Sequence, residues 1–223
     1  MTNFLFPDKN VFFPESKDFA EVARYVGYSK FHFPDKEISD MIKSGCFKLF
    51  SVLKPQAIFE EFALNIKKND DNFVSLPKNK IENLQNSDFK ISFENIVFFS
   101  KDLGRNLKNC SSVYLTAATI GPQVDNVIRR EQILNPAMAV ILQGAGAMFI
   151  EKLVDYANSV IKDDAKRHSK KIKPRYSPGY GDVPLEIQKV FFNLLPCTKI
   201  GLTLMDSLIM APEKSVTAFI GSF

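Results

Sequence analysis

The chain has 223 residues, 45% of them hydrophobic and 24% charged, with a formal net charge of +4. This is enough chain to bury a real core, and the composition is that of an ordinary globular protein. The mild positive charge falls short of a nucleic-acid signature.

Residues 1–15 alternate Phe with Pro and polar residues and read as an extended arm. Ser16 is placed to cap a short helix from Lys17 to Tyr25 that stops at Gly27. A second helix is expected from Asp35, with Ile38, Met41, Ile42, Leu49, Phe50 and Leu53 at the helical period and Pro55 as its stop. Gly45 falls in its middle. From Ala57 to Ile66 the residues Ile58, Phe62, Leu64 and Ile66 share one face of a strand. The polar section Lys67 to Ser87 predicts hairpins and exposed loops, with a short strand at Phe73 to Leu76.

Strand signals return at Phe89 to Phe93 and Ile96 to Phe99, and Ser100 opens a short helix through Leu107. Ser111 to Ile120 (SSVYLTAATI) reads as a buried strand, which Gly121-Pro122 turns into a helix reaching about Ile133. Within that helix Asp125 and Arg129 have the spacing of a surface ion pair. Pro136 starts the longest helix, to about Asp163. Ile141, Ala145, Met148, Leu153 and Tyr156 lie near one face of it, and Gly144 and Gly146 leave gaps for close packing. A basic run, Lys166 to Lys171, follows. Val183-Pro184 leads into a helix through Leu195, and the chain ends with a strand near Leu202 to Met205, a turn at Ala211-Pro212 and a strand from Ser215 to Ile220. Helices mixed with scattered strands favour one α+β domain with a mainly antiparallel, twisted sheet flanked by helices.

Cys46, Cys110 and Cys197 are far apart, in no C-x-x-C spacing, and read as reduced core thiols. His32 and His168 have no spaced partners, so no metal site is expected. No Ser-His-Asp or Cys-His set stands at a suggestive spacing, and G-x-G-x-x-G is absent. The N-terminus lacks a signal peptide's basic start and apolar run, and no apolar stretch is expected to span a membrane. A cytoplasmic protein with neither nucleic acid nor membrane as partner is the expectation.

The stretch most concentrated in unusual residues is Arg175-Tyr176-Ser177-Pro178-Gly179-Tyr180-Gly181-Asp182-Val183-Pro184. Pro178 fixes its own φ and extends Ser177, while Gly179 and Gly181 allow sharp turns and close approach of a ligand. An arginine fork suits a carboxylate or phosphate, and a tyrosine face suits a cation or a flat ring. A rigid turn, with Arg175 paired to Asp182 on the surface, is the plainer reading.

The same stretch, with Asp206, Ser207, Met210, Pro212, Ser215 and Val216 downstream, resembles the end of the S-adenosylmethionine (AdoMet)-binding activation domain of cobalamin-dependent methionine synthase. That domain carries R-x-x-P-G-Y-x-x-x-P, then acidic-Ser, Met-x-Pro and Ser-Val. The resemblance is strong over 175–221, weaker over about 97–160, and absent before that. It implies one domain over 1–223, with 97–221 as the AdoMet-binding part and 1–90 weakly matched.

The resemblance further implies that Arg175 grips the methionine carboxylate and that Tyr180 faces the sulfonium and the transferred methyl. Tyr176, Ser177, Pro178 and Gly179 would contribute backbone contacts, and Glu151 on the long helix would hold the ammonium or else pair as a solvated helix residue. Gln143 and Ala147 stand where free-standing relatives have an acidic residue and a Ser. The implied role is reactivation of a methionine synthase lacking its own activation domain. Cob(II)alamin, supplied by that partner, is methylated from AdoMet with an electron from flavodoxin or ferredoxin. Reactivation of another corrinoid methyltransferase, and a non-catalytic AdoMet sensor, stay open. The basic run at 166–171 is a solvated loop or a docking patch for an acidic partner.

Overall fold

The structure, a computed structural model, describes residues 1–68 and 89–223. In chain order its elements are β1 (Asn3–Leu5), α1 (Ser16–Tyr25), α2 (Lys36–Val52), β2 (Gln56–Ala63), β3 (Asn65–Lys68), β4 (Phe89–Phe93), β5 (Ile96–Phe99), α3 (Lys101–Asn106), β6 (Ser112–Thr119), α4 (Pro122–Leu134), α5 (Pro136–Arg167), α6 (Gln188–Leu194), β7 (Thr203–Leu204), β8 (Met210–Ala211) and β9 (Ser215–Ser222). Single 3-10 turns occupy Lys9–Phe12, Leu185–Ile187 and Cys197–Ile200.

The main sheet runs β1-β2-β6-β9, antiparallel throughout. Strand β6 is buried at every residue, which is why SSVYLTAATI shows no polar alternation: the sheet is covered on both faces. Side chains alternate across it. Ala57, Ala118 and Val216 meet α1, α2, α4 and α5 on one face. Ile58, Val113, Leu115, Ala117 and Phe219 meet the small sheet β3-β4-β5, α3 and α6 on the other. The phenylalanines are concentrated there, with Phe191 edge-on to Phe219 at 4.7 Å and Phe93 edge-on to Phe98 and Phe219. The single α+β domain with a mainly antiparallel sheet is therefore as expected.

Helix starts follow local chemistry. Asp35 caps α2 by accepting from the Ile38 N–H at 2.8 Å, Ser100 caps α3 through Leu103 N–H at 3.0 Å, and Asn135 caps α5 through Met138 N–H at 3.1 Å. The glycines in the long helices mark crossings. A Cβ at Gly45 would press on Ile141 of α5, and one at Gly144 on Val26 and Tyr25.

Several expectations are corrected. Residues 1–15 are not a plain arm: Asn3–Leu5 pairs with β2, and Phe12 is buried. Helix α1 starts one residue earlier, with Ser16 as its first residue and Asp18 accepting from the Glu15 N–H. The strand Ala57 to Ile66 is two strands in different sheets, because the chain leaves the main sheet after Ala63. The helix from Pro184 to Leu195 opens as a 3-10 turn, so only Gln188–Leu194 is α-helical. Asp125 is buried and accepts from the Glu213 N–H at 2.8 Å, while Arg129 approaches Glu213. By length and composition α5 is apolar enough to cross a membrane, against expectation, but 61% of its apolar window is buried inside the fold. The strand expected at Phe73 to Leu76 lies outside the described residues.

Cys46 and Cys197 are buried free thiols whose pKa values burial pushes up to about 12, and Cys110 is half-buried. These are packing residues, not nucleophiles.

Candidate functional site

The site forms where the main sheet lacks a neighbour. Strand β9 is the sheet's edge, and its C-terminal half is covered by the segment after α5. Lys171 N–H bonds Phe223 O, Lys173 N–H bonds Gly221 O, and Tyr176 and Phe219 exchange both N–H···O bonds at 2.9 and 2.8 Å. Nothing in the sequence signals this pairing, since Lys166 to Lys171 suggests a loop.

Beyond Tyr176 the chain turns away at Ser177-Pro178-Gly179 and leaves the first half of β9 open. In the β6–β9 ladder the pairings alternate. Phe219 points its backbone groups outward to Tyr176, so Thr217, two residues back on the same edge, points its N–H and C=O outward too. Among the described residues no strand meets them there, and Thr217 lines a cleft.

This cleft encloses about 410 Å³, a size suited to a small-molecule ligand, and brings together residues from five parts of the chain. Glu151 of α5 and Arg175 stand at its charged end. Tyr176, Ser177, Pro178 and Tyr180 come from the turning loop, Gln188 from α6, Met210 from β8, and Ser215, Val216 and Thr217 from β9. Of the residues expected at a site, Arg175, Tyr176, Ser177, Pro178, Tyr180 and Glu151 all line it. Gly179 instead shapes the loop: its φ is +87° and its N–H donates to Val183 O at 2.9 Å. Of the downstream positions, Met210, Ser215 and Val216 line the cleft, whereas Asp206 and Ser207 are exposed in the turn between β7 and β8.

Arg175 does not pair with Asp182. Its two terminal nitrogens donate to Glu151 and Asp155, each at 2.5 Å. Burial works against the guanidinium's charge, but the two carboxylates outweigh it and raise its pKa. A guanidinium carries five N–H donors, so this arrangement holds the plane of the fork and leaves donors for a ligand. Glu151 is paired to Arg175 and not to Lys152, which instead reaches Asp18 at 2.7 Å.

The loop itself is pinned from behind. Asp182 accepts from Ser100 Oγ and Lys101 N–H, both at 2.5 Å, and from Asp102 N–H at 3.2 Å. Burial pushes the Asp182 carboxyl up, but these donors, Ser100 first, more than offset it and hold it below the usual aspartate range. Tyr176 Oη donates to Tyr180 O at 3.1 Å. Gly181 has a φ of +53°, and a Cβ there would fall on that hydroxyl and on Asp102, so the position admits only glycine without rearrangement. Tyr180 ends up 69% exposed at the mouth of the cleft, its ring presented to solvent and not packed.

Sequence reasoning missed Gln188. It is 7% exposed and lines the cleft, and its buried Oε1 has no hydrogen-bond partner among the described residues. Nothing in the local sequence separates it from any other helix glutamine.

No protein-family model matches this sequence, and no curated protein sequence does. Its fold, however, matches a crystal structure of the MetH reactivation domain bound to AdoHcy, with a TM-score of 0.64 at 13% identity over 99% of this chain and 78% of that one.

Proposed function

We propose that this protein binds AdoMet in the cleft beside β9 and supports the reductive methylation of cob(II)alamin carried by a partner, a methionine synthase that lacks its own activation domain. The observation carrying this reading is the presence of Arg175 and Tyr180 in the lining of one cleft. A fork suited to a carboxylate is fixed inside, and an unpacked aromatic face stands at the mouth. The likeness to a reactivation domain whose solved structure holds AdoHcy supports it.

The residues present fit the ligand. Arg175 takes the carboxylate with the donors that Glu151 and Asp155 leave over. Glu151, next to it, holds the ammonium attached to the same carbon. Tyr180 offers its ring face to the sulfonium and its methyl, a cation–π contact worth about 0.5–2 kcal/mol. Because Tyr180 sits at the mouth, the methyl is held where a docked partner can approach it. The chain's own contribution is positioning, and the cobalamin of the partner supplies the methyl-accepting chemistry. An electron donor of the flavodoxin or ferredoxin class completes the stoichiometry: cob(II)alamin takes one electron and a methyl cation, and AdoHcy leaves.

The test is methylation of a candidate partner's cob(II)alamin with AdoMet and a reductant, followed by its absorbance, with and without this protein. Protein-dependent formation of methylcobalamin is expected. AdoMet binding without any transfer, across methionine synthase and other corrinoid partners, would replace this reading with that of an AdoMet sensor. Absence of AdoMet binding would end it.

A further inference from the structure

We infer that the protein has a second small-molecule site, a cavity between α1 and α5 that takes a free α-amino acid with an apolar side chain. The cavity encloses about 450 Å³ and is lined by the 3-10 turn Lys9–Phe12, the start of α1 and the second half of α5. It shares no lining residue with the cleft beside β9.

Two of its charges are oddly placed. Lys152 and Asp155 stand three residues apart on α5, a spacing at which opposite charges on a helix ordinarily pair. Here they do not. Lys152 donates to Asp18 at 2.7 Å and to Phe13 O at 3.4 Å, while Asp155 accepts from Arg175 at 2.5 Å. Among the described residues this leaves one Lys152 donor and one Asp155 oxygen without a partner. The side chains of Lys152 and Asp18 are only 22% and 6% exposed, and burying such a pair adds little to stability by itself. Lys17 and Glu21 also line the cavity, but each has a near neighbour as partner, Glu15 at 3.2 Å and Arg24.

The cavity therefore presents a split pair, a cation and an anion on adjacent turns, each held by another group. An α-amino acid carries its carboxylate and ammonium on one carbon and completes both, with the carboxylate on Lys152 and the ammonium on Asp155. A lone amine or a lone acid completes only one. The rest of the wall is apolar: Val11, the buried Phe12, and the Tyr156 ring, edge-on to Phe12 at 5.9 Å. That wall suits an apolar side chain. Asp155 then serves both sites. It orients Arg175 in the first cleft, and an ammonium beside it draws on the same carboxylate, so each ligand weakens the other. This coupling rests on the AdoMet reading above, whereas the second site does not.

The experiment is calorimetric titration of the intact protein with L-leucine, isoamylamine and 4-methylpentanoate, which share an apolar tail and differ in their charged groups. Leucine is expected to bind about tenfold tighter or more than either single-charge compound, the size of one charge-assisted contact. Val11→Trp, at a position 57% exposed, fills the cavity and is expected to abolish leucine binding while the protein still unfolds cooperatively on heating. Asp155→Asn is expected to weaken leucine about tenfold. Arg175→Ala is expected to keep leucine binding, which an amino acid held in the first cleft would lose. Saturating S-adenosylhomocysteine is expected to weaken leucine severalfold without displacing it. No leucine binding at millimolar concentration, equal binding of the three compounds, full binding by folded Val11→Trp and Asp155→Asn, or loss in Arg175→Ala overturns the site. Leucine affinity unchanged by bound S-adenosylhomocysteine overturns the coupling. Failure of S-adenosylhomocysteine to bind overturns the AdoMet reading, and the leucine result stands apart from it.

Discussion

Ser100 and Asp182 join the loop at 177–182 to the start of a helix. The Ser100 hydroxyl donates to Asp182 at 2.5 Å while accepting from the Leu103 N–H at 3.0 Å, so one side chain both caps α3 and fastens the loop. Asp182 also accepts from the first two N–H groups of α3, where a helix dipole favours an anion. The cleft wall thus depends on a carboxylate that is not itself part of the cleft lining.

Replacing Asp182 with Asn should loosen this joint, since the amide turns an N–H group towards backbone donors. Half-exposed as it is, the change should cost about 1 kcal/mol of stability and weaken AdoMet binding. The folded-state pKa is lowered, so the carboxylate's contribution is present above the ordinary aspartate value of about 4 and lost as pH falls through the lower folded value. Thermal unfolding at stepped pH should therefore show the gap between the two proteins closing below about pH 4. A gap of constant size down to strong acid would mean that the bond network is not the cause.

Arg175→Ala should weaken AdoMet binding by about 1.5–3 kcal/mol, the value of a charge-assisted contact. The two carboxylates that orient Arg175 should behave differently. Glu151 lines the cleft and Asp155 does not, so Glu151→Gln should weaken binding more than Asp155→Asn does. Calorimetry giving the reverse order would remove the ammonium from Glu151.

At Tyr180 the prediction separates binding from transfer. Tyr180→Leu should retain most AdoMet affinity, because the carboxylate contact is untouched and the ring term is small. Single-turnover methyl transfer to the partner's cobalamin should slow by more than affinity falls, since the near-attack geometry is lost. Equal transfer rates would make Tyr180 a bystander at the mouth.

Among the basic residues of the last turn of α5 and the segment after it, the structure divides paired from exposed charges. Lys170 bonds Glu61 at 2.8 Å and Ser112 at 3.0 Å, tying the run to the main sheet. Lys170→Glu should therefore cost about 1 kcal/mol in unfolding experiments whether or not a partner is present. Lys166 and Lys171 are exposed. If an acidic partner docks here, reversing those two should slow association, with the effect fading as salt rises. Association unaffected at low salt would leave the run as ordinary surface.

What the sequence determined by itself was local. Caps, prolines and periodicity located α2, α3, α4 and α5, and the mostly apolar run at 111–120 marked β6 as a buried strand. The glycines and Pro178 marked the turning loop at 177–182, because φ restrictions act within one or two residues. What only the tertiary structure decided was pairing at a distance. Arg175 could meet Asp182 seven residues on, or Glu151 and Asp155 on the preceding helix, and only the packing of residues 171–176 against β9 selects the second. The open edge at Thr217 and the unpaired amide of Gln188 arise the same way. Whether a polar group is satisfied depends on what the rest of the chain brings to it, and that information is not carried by the residue or its neighbours.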